Sequence, residues 1–154
     1  MRISLTLNGE AVLADAEPRQ SLVDFLRGLG LVGTHSGCEH GVCGACSVRV
    51  AGRVVRGCLM LAVQANGARV ETIEGLTQTA EIADLQAAFH RRNALQCGFC
   101  TAGMLLTAQE LLVDNPTPTR SDIREYLSGN YCRCTGYQAI VDAVADVARE
   151  RERR

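Results

Sequence analysis

The stretch that decides the fold is Cys38-Glu39-His40-Gly41-Val42-Cys43-Gly44-Ala45-Cys46, with a fourth cysteine, Cys58, further along the chain. Its C-x4-C-x2-C…C spacing is that of a plant-type 2Fe-2S centre. Three thiolates on one short loop require the backbone to wrap around the group they hold. Gly37, Gly41 and Gly44 supply the turns, because a residue without Cβ takes positive φ and lets the backbone approach closely. Gly44, set between Cys43 and Cys46, is therefore expected to tolerate no β-branched residue. Its replacement is expected to damage this site alone. A zinc knot would also use four thiolates, but zinc sites usually show two C-x2-C-like pairs.

Outward from this loop the apolar residues alternate, as in Ile3, Leu5, Leu7, then Val48 and Val50, then Val54, with Asn8-Gly9 and Ala51-Gly52 as turn signals. Period-2 alternation punctuated by such dipeptides predicts short strands and hairpins. One helix interrupts them, with Ser21 as N-cap, Asp24 three residues on, and Leu22, Val23, Phe25, Leu26 and Leu29 as its apolar residues. The glycines that follow, Gly28-Leu29-Gly30-Leu31-Val32-Gly33, spell a literal G-x-G-x-x-G. A dinucleotide fingerprint must follow a strand and open a helix. Here a helix precedes and the cysteine loop follows, so these glycines end the helix and turn the chain.

A second group reads Cys97-Gly98-Phe99-Cys100, then Cys132-Arg133-Cys134. A lone C-x2-C could be a redox dithiol. The C-x-C farther along argues for a second four-thiol site, and taken alone this group could still hold zinc. Gly75 to Ala80 is expected to be a polar linker. Beyond it a helical period dominates: Ile82, Leu85 and Phe89; Met104, Leu105, Ala108, Leu111 and Leu112, stopping before Asn115-Pro116; a third helix over about Ser121–Ser128; and a last one from about Tyr137 to the charged tail, with Thr135 and Gln138 as its capping box. Both cysteine pairs of this group would then precede helices, whose dipoles favour negative charge.

The chain has 154 residues, 16 basic and 17 acidic, and a net charge of -1, which argues against nucleic acid as a partner. All the basic residues are arginine. Without a secretory pattern, clustered cysteines point to a reducing, cytoplasmic setting and to metal rather than disulfides. No apolar run of membrane-spanning length occurs. His35, His40 and His90 read as solvated or hydrogen-bonded side chains; Cys38-Glu39-His40 lacks the C-x2-H companion of a Rieske centre. The closing Arg149-Glu150-Arg151-Glu152-Arg153-Arg154 run reads as a solvated helix end with i,i+4-type pairs. No nucleophile with a base and no phosphate loop is found, so the chain carries no bond chemistry of its own.

The segments CEHGVCGAC (Cys38 to Cys46), QCGFCTAGM (Gln96 to Met104) and GNYCRCTGY (Gly129 to Tyr137) resemble, in order and over nearly the whole chain, the small iron-sulfur subunit of the molybdenum hydroxylases, the family of xanthine dehydrogenase, aldehyde oxidoreductase and aerobic carbon monoxide dehydrogenase. The resemblance implies an α+β chain: a ferredoxin-like β-grasp domain over residues 1–76 and a four-helix domain over 77–154, each with one 2Fe-2S cluster. By the same resemblance Cys38, Cys43, Cys46 and Cys58 hold one cluster, and Cys97, Cys100, Cys132 and Cys134 the other. It further implies a large molybdopterin subunit and a medium FAD subunit as partners, in a dimer of heterotrimers, with electrons passing from molybdopterin to FAD. Gln96 and Cys134 are then the residues that meet the pterin, since a side-chain amide both donates and accepts. Ala102 stands where the family commonly has Pro, which the first turn of a helix permits but does not need. A free-standing two-cluster carrier is the alternative, and the second domain and near-neutral charge argue against it.

Overall fold

The structure is a computed structural model that describes residues 1–153. Its elements run β1 (Arg2–Leu7), β2 (Glu10–Asp15), α1 (Leu22–Gly28), β3 (Ser47–Val50), β4 (Arg53–Arg56), β5 (Arg69–Glu71), α2 (Ile73–Gln78), α3 (Ala83–Arg91), α4 (Thr101–Asp114), α5 (Arg120–Tyr126) and α6 (Gln138–Glu152). The chain is thus α+β, with β1 to β5 and α1 before residue 72 and α2 to α6 after it. The sheet order is β2-β1-β5-β3-β4, in which β1 and β5 are parallel and every other pair antiparallel.

Both hairpins turn where the sequence reading places them. Asn8-Gly9 and Ala51-Gly52 all have positive φ, which fits the right-handed twist of the strands they join. Ile3, Leu5 and Leu7 face inward with Val48, Val50 and Val70, and α1 lays Leu22, Phe25 and Leu26 on them. The Ser21 hydroxyl caps α1 by accepting from the Asp24 amide at 3.2 Å. The G-x-G-x-x-G stretch ends α1 as expected, and Gly33 then passes so close to α2 that an added Cβ would lie 2.6 Å from Ile73 Cγ2.

Three expectations fail. Gly75 to Ala80 is not a linker: α2 occupies most of it, and Leu76 is buried in the helical core, so the 76/77 boundary falls inside a helix. The stretch looked polar because a short helix with one buried face shows few apolar residues. Thr135 and Gln138 form no capping box. Tyr137, in a left-handed conformation, is the N-cap of α6, and Thr135 bonds elsewhere. Among the described residues the tail shows no i,i+4 pair either. Arg151 reaches across to Asp84 at 2.8 Å and to Gln109 at 2.8 Å, Glu150 pairs with Arg91, and Arg149 pairs with Asp146 three residues before it. Arg154 lies outside the described residues.

The helical core gathers Ile82, Leu85, Phe89, Met104, Leu106, Ile123, Ile140 and Val144 from α3 to α6. It is joined to the sheet by Val54 and by an ion-pair network. Arg49 of β3 binds Glu71 of β5 and Glu81 ahead of α3, both at hydrogen-bond distance, and Glu81 also accepts from Gln109 of α4. No helix among the described residues is long and apolar enough to cross a membrane.

Candidate metal centres

The first thiol group sits on the loop between α1 and β3 and is closed by Cys58, two residues after β4. Cys46 is buried at the entry to β3, and its carbonyl accepts from the Gly57 amide at 3.1 Å, which fixes the return of the hairpin beneath the loop. Glu39, Gly41 and Gly44 have positive φ. The thiols meet two by two, Cys38 with Cys43 and Cys46 with Cys58. Backbone amides of His40 and Cys43 pull the Cys38 thiol down to about 6, whereas burial, reinforced by Cys46, pushes Cys58 up to about 11. The His40 ring lies against the Cys38 carbonyl, a loop contact rather than a thiol partner.

The second group brings the Cys97-Gly98-Phe99-Cys100 loop against the turn that carries Cys132 and Cys134. Here too the thiols pair, Cys97 with Cys134 at 3.5 Å and Cys100 with Cys132. Cys100 is the N-cap of α4, so the positive helix end does point at this group. α6 begins at Gln138 with Tyr137 as its N-cap, close to the expected start and four residues beyond Cys134. Burial raises the Cys100 thiol to about 12. At Cys132 burial also works upward, but bonds from the Thr135 hydroxyl, the Thr135 amide and the Cys134 amide outweigh it and hold the thiol below its ordinary value. Gln96 donates its side-chain amide to the Cys134 carbonyl at 3.0 Å and remains exposed, so the two residues expected at the pterin are adjacent.

The two groups stay distinct while their loops touch. The Tyr131 amide, next to Cys132, donates to the Cys43 carbonyl at 2.8 Å. Arg56 spans the seam, donating to Gly41 O, to Ser47 Oγ at 2.6 Å and to Gly129 O at 2.8 Å. The His35 ring stacks on Phe99 with centroids 4.6 Å apart. An added Cβ at Gly103 would overlap the Gly44 carbonyl, and one at Gly44 would overlap Asn130 and lie 2.7 Å from Gly129 O. Gly44 thus lies against the turn that carries the second group, so its replacement is expected to disturb both groups rather than the first alone. Sequence reading missed Arg56, Asn130 and Tyr131. Only the position of Arg56 just ahead of Cys58 hinted at a role.

The residues fit two-iron clusters. Each iron of such a cluster takes two protein ligands, and each group offers two pairs of neighbouring thiols. Thr101 Oγ1, just after Cys100, is buried with no hydrogen-bond partner among the described residues, and a cluster sulfur is an acceptor for such a hydroxyl.

Two such groups on one α+β scaffold define an iron-sulfur protein with two 2Fe-2S-binding domains. Family comparison agrees: a 2Fe-2S iron-sulfur cluster binding domain matches residues 5–77 and a 2Fe-2S binding domain matches residues 72–145. The chain belongs to the small iron-sulfur subunits of the molybdenum hydroxylases. It is 50% identical over 147 residues to the nicotine 6-hydroxylase small subunit of Paenarthrobacter nicotinovorans, covering 95% of this chain and 88% of that one. It is 51% identical over 150 residues to the caffeine dehydrogenase subunit gamma of Pseudomonas sp. (strain CBB1), covering 95% and 90%. Among solved structures, quinoline 2-oxidoreductase from Pseudomonas putida 86 superposes with a TM-score of 0.90 at 53% identity, over 97% of this chain and 96% of that chain. The aldehyde oxidoreductase of Desulfovibrio gigas superposes with a TM-score of 0.91 at 40% identity, over all of this chain but only 18% of the other. The chain is thus a member of an oxidoreductase complex and is not catalytic alone.

Proposed function

We propose that Cys38, Cys43, Cys46 and Cys58 ligate one 2Fe-2S cluster on a ferredoxin-like β-grasp unit, and that Cys97, Cys100, Cys132 and Cys134 ligate a second on the helical unit, with the change of unit at Thr72, ahead of α2. A bound 2Fe-2S cluster takes up and gives back one electron at a time. The chain's own work is to deprotonate, orient and bury the thiols and to hold the two loops at a fixed spacing. On this reading it relays electrons from a molybdopterin centre in a large partner subunit to FAD in a medium one, within a cytoplasmic dimer of heterotrimers. Gln96, fastened to the Cys134 carbonyl, presents the polar edge that meets the pterin.

The observation that carries this reading is the Tyr131-to-Cys43 backbone bond, which ties the two thiol loops together directly. A relay within a complex needs that fixed spacing, whereas a diffusing carrier needs one exposed centre. Around the loops Val42, Leu59, Phe99 and Tyr131 are exposed apolar side chains, suited to burial against larger subunits. Nicotine and caffeine, named in two of the relatives, are N-heterocycles, and we extend that substrate class to the complex. The test is purification of the chain from its native host. Co-elution with two larger chains, brown colour and about four irons per chain are expected. A colourless protein containing zinc, or a stable active monomer, would overturn the proposal.

A further inference from the structure

The turn that follows the second thiol pair is folded back onto one sulfur. Gly136 and Tyr137 both have a φ of 67°, which is uncommon for a residue as bulky as tyrosine. This backward turn brings the Tyr137 phenol oxygen to accept the Cys132 amide at 2.8 Å. The Tyr137 amide in turn donates to Thr135 Oγ1 at 3.2 Å. With one lone pair of that hydroxyl taken, its proton is aimed at Cys132 Sγ, 3.1 Å away, and the Thr135 amide adds a second donor at 3.4 Å. The same element would ordinarily spend a threonine as a helix cap; here the hydroxyl is diverted from α6 to the thiol.

Resting on the ligand assignment above, we propose that Thr135 sets the reduction potential of the second cluster by donating its hydroxyl hydrogen bond to the Cys132 sulfur. Reduction adds negative charge that is shared onto the ligand sulfurs, and a donor on a sulfur stabilises the more negative state. The hydroxyl therefore raises the potential of this centre and favours its filling from a partner. Tyr137 acts through Thr135: its amide holds the hydroxyl in the orientation that points its proton at sulfur.

The test uses the whole complex, with both clusters titrated against applied potential by electron paramagnetic resonance. Thr135→Val removes the hydroxyl and keeps the shape. At a fixed applied potential the oxidised-to-reduced ratio of the second cluster should rise about tenfold, equivalent to a midpoint lower by ~59 mV, with the first cluster unmoved. Thr135→Ser keeps a hydroxyl and should restore the wild-type midpoint. An unchanged midpoint in Thr135→Val, an equal shift in both clusters, failure of Thr135→Ser to restore it, or loss of the second cluster's iron from Thr135→Val would each overturn the assignment. A wild-type complex with no second iron-sulfur signal would instead refute the ligand reading on which it rests.

Discussion

Replacing Gly44 by alanine adds one methyl group at a backbone φ of 75°, and Gly41→Ala does the same at a φ of 88°. The backbone penalty is common to both, about 1–2 kcal/mol for an L-residue forced into the left-handed region. What differs is the neighbour. At Gly41 the new methyl meets the end of the Leu59 side chain, which is 64% exposed and free to swing away. At Gly44 it meets Asn130 and the Gly129 backbone, neither of which can move without breaking bonds. The Gly129 carbonyl accepts from Arg56 at 2.8 Å, and the buried Asn130 side chain is bonded to Thr107 at 3.0 Å. A bond from a charged donor contributes about 1.5–3 kcal/mol and a neutral one about 1 kcal/mol. Gly44→Ala should therefore destabilise by about 3.5–6 kcal/mol against about 1–2 for Gly41→Ala. For a chain of this length the gap of about 2.5–4 kcal/mol moves the thermal midpoint by about 5–16 °C. Loss of visible cluster absorbance on heating measures it, and electron paramagnetic resonance shows which centre suffers. Gly44→Ala should weaken both signals and Gly41→Ala only the first. Equal midpoints for the two variants, or an intact second signal in Gly44→Ala, would refute the reasoning.

Gln96→Ala should slow reduction of the clusters by substrate in the assembled complex while iron content stays at the wild-type level; stopped-flow bleaching reads the rate, and an unchanged rate removes Gln96 from the electron entry. An experimental structure of the loaded complex should sort the ligands strictly by group, and a cluster shared between Cys43 and Cys132 would contradict the two-site reading. Hydrogen bonds from Arg49 hold the Glu81 carboxyl below its ordinary range, against a smaller upward push from burial. Because the folded value is the lower one, this contact stabilises above the unfolded carboxylate pKa of about 4.3 and fades as pH falls through the folded value. Glu81→Gln should thus lower the thermal midpoint by about 2–4 °C near pH 7, the size expected of a partly buried pair of about 1 kcal/mol. The deficit should shrink at acidic pH; a deficit independent of pH would exclude the carboxylate charge as its source.

The parts of this molecule legible in its sequence are those governed by local rules. Cysteine spacing separated the two thiol groups, positive-φ dipeptides marked both hairpins, and the Ser21 cap with its apolar run marked α1. The Asn115-Pro116 stop placed the end of α4 at Asp114. What escaped the sequence was set by contacts between distant residues. A six-residue helix such as α2 leaves too short a period to read, and Leu76 declares its side only once the helical core exists. Thr135 carries the same cap signature as Ser21, yet a thiol three residues back competes for its hydroxyl and wins. Arg151 looks like surface charge until the fold brings Asp84 beside it. The seam of Arg56, Asn130 and Tyr131 joins residues that no spacing rule connects.

The crossing of the seam by residues 129 to 131 has a bearing on how the chain is made. The five-stranded sheet is complete once β5 has left the ribosome, and on the proposed assignment Cys38, Cys43, Cys46 and Cys58 would then be free to close on iron. Cys97 and Cys100 emerge next, but their partners, and the Gly129 and Tyr131 contacts that hold those partners in place, lie some thirty residues downstream. At a synthesis rate of about 5–20 residues per second, the half-finished second site stays open to oxygen and to stray metals for roughly 2–7 s. On the proposed ligand assignment, the first loop would then serve as a template, offering the Cys43 carbonyl to the arriving Tyr131 amide on which the second site is shaped.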